Sequence, residues 1–132
     1  MRYVKGLDRD QVMMCTLDSF VDKESDARLI DAFVDNLDLE ALKITKSKAA
    51  SEGRPAYDPR SMLKLYIYGA EHSIRSSRKL AEACRLNVEV RWMTGAVTPD
   101  FRTISDFRKA NIIVLKSILH EFNRRIAAAV EF

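Results

Sequence analysis

Apolar positions recur along this chain with a period near 3.6 residues, and the intervals between the runs carry caps and breakers. In "DARLIDAFVDNLDLEAL", Leu29, Ile30, Phe33, Val34 and Leu37 fall at i, i+1, i+4, i+5 and i+8, the stripe of an amphipathic helix. Asp31, Asp35 and Asp38 then lie on or near its polar side. In "YDPRSMLKLYIYGA", Asp58 predicts a cap and Pro59 a first helical position, where a missing N–H costs nothing. Leu63, Tyr66, Ile67 and Ala70 form the expected inward stripe. "SIRSSRKLAEACRLN" predicts a short helix capped by Ser76 or Ser77, with Leu80, Ala81 and Cys84 facing in. Asn87 closes that helix and caps another, "VEVRWMTG", which stops at Gly95. Thr98-Pro99 or Asp100 restarts the chain as a helix expected from about Phe101 to Ala129. Its apolar positions are Ile104, Phe107, Leu115, Ile118, Leu119, Phe122 and Ile126.

Two segments resist this reading. "QVMMCTL" is too short to assign from periodicity, and "KITKSKAASEGRPAY" reads as a linker or exposed loop. Val88, Val90 and Trp92 alternate as strand residues do, but a lone strand has no partner, so a short helix is expected there. Trp92 reads as a core anchor. The fold expected is all-α: a small bundle of five or six helices with a helix-turn-helix-like arrangement.

Charge divides the chain more sharply than its net value of +3 suggests. Residues Met1–Gly53 hold 8 Lys/Arg against 11 Asp/Glu, whereas Arg54–Arg125 hold 14 against 7. We therefore divide it into an acidic N-terminal arm and helix, 1–53, and a basic helical region, 54–132, packed as one unit. Arg dominates the basic part, and its planar fork suits phosphate and guanine.

Other chemistry is thinly represented. Cys15 and Cys84 form no CxxC pair and His72 and His120 are far apart, so neither a structural zinc site nor any other metal or cofactor is expected. Two cysteines make no disulfide framework, which points to a reducing, cytoplasmic setting. No stretch has the length of a membrane span. His72 stands beside Glu71 but near no recognisable nucleophile, and no Gly-rich phosphate loop occurs. No catalytic residue is assigned.

The order short helix, short connection, short helix, Gly-containing turn, helix is that of a helix-turn-helix. In such an arrangement the last helix enters the DNA major groove and earlier helices span phosphates. Arg102, Thr103, Asp106 and Lys109 form the expected groove-facing set. Arg75, Ser76, Ser77, Arg78 and Lys79 form the expected phosphate clamp, since a helix N-terminus beside hydroxyls and cations favours an anion. An ordinary solvated face fits the same spacings.

Several motifs in order add a resemblance. "GRPAYDP", "RSSRKL", "WMTG" and "PDFRTISDFR" together resemble the N-terminal region of bacterial insertion-sequence transposases, most nearly the IS5/IS1182-like group. The resemblance implies recognition of the terminal inverted repeats of a mobile element on double-stranded DNA. In these transposases an RNase H-like domain follows, whose carboxylates hold two divalent metals for strand cleavage. The Asp residues here match no part of that constellation, so the expected protein is not itself an enzyme. The alternative is an interaction module that pairs with a full-length transposase or with itself through a seam of Leu115, Leu119, Phe122 and Ile126.

Overall fold

The computed structural model describes residues 2–44 and 57–130. The stretch read as a linker, the "GRP" of the first transposase-like motif and the boundary at Gly53 fall largely outside those residues. Among the described residues there are seven α-helices, one 3-10 turn (Leu17–Phe20) and no strand. The helices are α1 (Asp26–Asp35), α2 (Leu39–Leu42), α3 (Pro59–Glu71), α4 (Ser77–Leu86), α5 (Val88–Thr94), α6 (Phe101–Ala110) and α7 (Ile112–Val130).

Local chemistry sets where these helices begin. Side-chain oxygens of Ser25, Asp38, Asp58, Ser76, Asn87 and Asp100 each accept from a backbone N–H in the first turn of α1 to α6. Each satisfies a donor the helix itself leaves unpaired. Asn87 serves twice: its N–H closes α4 on Ala83 O, while its Oδ1 accepts from the N–H groups of Glu89 and Val90. Gly95 ends α5 at φ 70°, a left-handed conformation that favours glycine. The segment 88–94 is therefore helical, as the absence of a strand partner required.

The last helix is not continuous. Asn111, expected inside one long helix, breaks it with φ −124° and ψ 17°. Its side-chain Nδ2 donates to Phe107 O at 3.0 Å and its own N–H donates to the same carbonyl. An Asn that hydrogen-bonds the preceding turn competes with the helix ladder, and burial holds it there.

α3 is the central element. Met62, Leu63, Lys64, Leu65, Ile67, Tyr68 and Gly69 are all buried, so it is enclosed on nearly every side rather than along one stripe. Ala70, expected inward, is exposed, and Tyr66 is half-buried. α1, α5, α6 and α7 pack on α3, and α4 packs on α5 and α6. Fully buried side chains such as Ile30, Leu63, Ile67 and Leu115 each contribute about 1.5–3 kcal/mol relative to exposure. Two other expectations shift by two residues. Leu29 is exposed and Ala27 buried in its place, and Ala83, not the half-buried Ala81, completes the inner face of α4.

Polar groups fix how the acidic helix sits. Lys64 Nζ lies 2.7 Å from Asp31 Oδ1 and 2.9 Å from Asp35 Oδ1, so both carboxylates reach across to α3. Arg60 donates to the carbonyls of Val34 and Leu37 at the end of α1. At the other end, Glu89 accepts from Ser25 Oγ and from Tyr68 OH, which in turn accepts from Asn87. His72 stacks on Tyr68 and pairs with Asp26. Trp92 is half-buried, with the Arg28 guanidinium 4.7 Å from its ring centroid, rather than a fully enclosed anchor. Arg28 also binds Asp18 and the carbonyls of Val21 and Asp22, which secures the 3-10 turn.

Candidate nucleic-acid interface

The two clusters singled out in the sequence meet in space. The first turn of α4 lies against the outer face of α6, and between them runs an open groove of about 430 Å³. Ser76, Ser77 and Arg78 form one wall; Phe101, Arg102, Ser105, Asp106 and Lys109 form the other. The α6 residues follow i, i+1, i+4, i+5 and i+8, a single helical face. Ile104 and Phe107 point the other way, into the core. Core packing of α6 therefore dictates that its charged side opens onto α4.

Three contacts shape the groove. Ser76 Oγ accepts from Lys79 N at 3.0 Å, which leaves the α4 N-terminus capped but still dipole-positive. The Arg78 guanidinium lies 4.0 Å from the Phe101 ring centroid, and that of Arg102 lies 6.0 Å from it. The ring thus holds Arg78 by its negative face, with Arg102 at the outer limit of such a contact. Arg108 reaches back across the junction, donating to Arg75 O at 2.9 Å and to Ser77 Oγ at 3.3 Å. At the start of α6, the Thr103 N–H and hydroxyl hold the Asp100 carboxyl below its usual range, so the cap stays ionised.

Of the nine residues expected from the sequence, Ser76, Ser77, Arg78, Arg102, Asp106 and Lys109 line the groove. Arg75, Lys79 and Thr103 do not. Arg75 offers its carbonyl to Arg108, and the N–H groups of Lys79 and Thr103 serve the caps of α4 and α6. Three contributors were missed. Phe101 is apolar, Ser105 carries no charge, and Arg108 acts across 33 residues. Phe101, Ser105 and Lys109 do share a four-residue spacing, a row visible in the sequence.

Other features fit less well. A second concavity of about 520 Å³ lies beyond Lys109, lined mainly by apolar residues of the α6–α7 junction such as Ile112 and Ile113. His72 and Ser25 are engaged in the α1–α3–α5 network and face no nucleophile arrangement. Among the described residues no group of three or more His, Cys, Asp or Glu converges. Among them, too, no helix is long and apolar enough to cross a membrane. Leu115 and Phe122, half of the suggested dimer seam, are buried in this chain's own core; Phe122 meets Phe33 edge to face at 5.2 Å.

Comparison with known proteins gives one result. No curated protein and no solved structure matches the chain. A family model described as Transposase domain (DUF772) matches residues 15–110. That span runs from just before the 3-10 turn to the last residue of α6 and contains both walls of the groove. The chain belongs to the DUF772 transposase domain family.

Proposed function

We propose that this chain is a DNA-recognition domain of a transposase, one that binds the terminal inverted repeats of an insertion sequence. The observation that carries the reading is the groove in which the α4 N-terminus and the cationic face of α6 lie opposite one another. Arg78 and Arg102 supply fixed positive charge, and the α4 dipole adds to it. In this reading α4, α5 and α6 act as the helix-turn-helix-like unit, with α6 entering the major groove. The acidic segment 1–53 braces the basic helices of 54–132 through the carboxylates that hold Lys64. Recognition is the role assigned to the domain, and no residue in it is assigned to strand cleavage.

Fluorescence anisotropy tests the reading, with a labelled duplex of the parent element's terminal repeat compared with a scrambled duplex over several salt concentrations. Tighter binding to the repeat, weakening steeply with salt, supports it. Absence of binding to either duplex at low salt overturns it.

A further inference from the structure

Of the charged side chains that line the groove, Arg78, Arg102 and Lys109 are cations and Asp106 is an anion, and that exception is informative. Asp106 is exposed, lines the groove wall, and sits between Arg102 four residues before it and Lys109 three residues after it. Either neighbour is within the spacing at which helical ion pairs form. Yet among the described residues no ion pair joins Asp106 to Arg102 or to Lys109. Arg102 instead leans toward Phe101. The carboxylate is thus not consumed by its neighbours. In a surface that has to approach phosphates, an uncommitted anion weakens binding to every backbone. It is tolerable where it meets a hydrogen-bond donor.

The geometry points to Asp106 and Lys109 as the pair that reads a C·G base pair in the major groove, an inference that rests on the DNA-binding reading above. Cytosine presents there its N4 amine, a donor suited to a carboxylate. Its guanine partner presents O6 and N7, two acceptors suited to an ammonium. Adenine also has an exocyclic amine, but its N7 acceptor sits beside it and repels the carboxylate. One helical turn separates Asp106 from Lys109, and both face the same groove. An acceptor and a donor at that spacing match the two halves of a C·G pair. Arg78 and Arg102, gathered on Phe101, are left for the backbone phosphate. Asp106 is then the specificity-determining residue: it discourages non-specific phosphate contact and favours one base pair.

The test is selection from a pool of duplexes randomised across the footprint, with the wild-type chain, Asp106→Ala and Asp106→Asn. The wild type is expected to enrich a motif containing a C·G pair. Asp106→Ala is expected to lose about tenfold discrimination at that one position and to bind unselected duplex more tightly, with the rest of the motif unchanged. Asp106→Asn is expected to shift that position toward A·T, because a carboxamide pairs with adenine N6 and N7. Survival of the C·G preference in both variants, or collapse of the whole motif, overturns the assignment while leaving DNA binding standing. A wild-type chain that binds duplex but enriches no sequence overturns this inference, and one that retains no duplex at low salt overturns the DNA-binding reading with it.

Discussion

The guanidinium of Arg78, on the first turn of α4, lies 4.0 Å from the ring centroid of Phe101, the first residue of α6. This contact joins the two walls of the groove and aims a cation that would otherwise sweep freely through solvent. Arg78→Ala is expected to weaken binding to all duplexes and to reduce the salt dependence by about one unit of slope. Phe101→Leu keeps the charge and loses the ring, so it should weaken binding while leaving the slope nearly unchanged. Anisotropy titrations across salt separate the two. An unchanged slope in Arg78→Ala would place that residue away from phosphate.

Gly69 marks a close approach inside the fold. A Cβ built there would stand 2.8 Å from the carbonyl oxygen of Ile74 and 2.8 Å from Leu80 Cδ2. Alanine in a helix interior ordinarily gains about 0.5–1 kcal/mol over glycine. Here the clash with a backbone atom outweighs that gain, so Gly69→Ala should destabilise by about 1–3 kcal/mol. Urea unfolding measures it. A more stable variant would mean that α4 can move away from α3 without loss.

Lys64 is buried between two carboxylates of α1. Lys64→Met should cost about 1–3 kcal/mol, because Asp31 and Asp35 then face an uncharged neighbour. Adding Asp31→Asn and Asp35→Asn to that variant should recover a good part of the loss, since no unpaired charge remains. If the single variant unfolds at the same urea concentration as the parent, the ion pairs do not hold α1 to α3.

The Ser25–Glu89–Tyr68 junction makes stability depend on pH in opposite directions. The donors Ser25 and Tyr68 hold the Glu89 carboxyl below its ordinary value. Its contribution is present above the unfolded value near 4.3 and lost as pH falls through the folded one. Burial, reinforced by Glu89, pushes the Tyr68 phenol up to about 12. That contribution is present below the unfolded value of about 10 and disappears as pH rises toward 12. Cys84, raised to about 11 by burial, acts in the same alkaline direction. Thermal melts from acid to alkali should therefore fall off at both ends. Glu89→Gln should flatten the acid limb, and Tyr68→Phe part of the alkaline one; melts with unaltered limbs would refute the junction's role.

Much of the helical outline was legible because its causes are local. Asp58-Pro59, Asn87, Gly95 and Asp100 act on backbone within a few residues of themselves, and each operates where the sequence placed it. The break at Asn111 was missed because helical periodicity runs straight through it. Only burial beneath the bundle makes its side chain bond to Phe107 instead of to water. Leu29 and Ala27 exchanged roles for a related reason: a stripe gives the direction of the core, and the neighbouring helix decides its edges.

The sequence by itself determined that this is a helical chain with an acidic beginning, a basic remainder and the motifs of a transposase domain. Those properties reside in composition, in caps and in a 3.6-residue period, which depend on neighbours along the chain. Tertiary structure decided which cations share a surface. The placement of Ser76, Ser77 and Arg78 opposite Arg102, Asp106 and Lys109 depends on how α4 packs on α6. So does the tie from Arg108 to Ser77, two residues far apart in sequence. Periodicity fixes which side of a helix is polar, but the burial of Leu80, Ile104 and Phe107 fixes what that side faces.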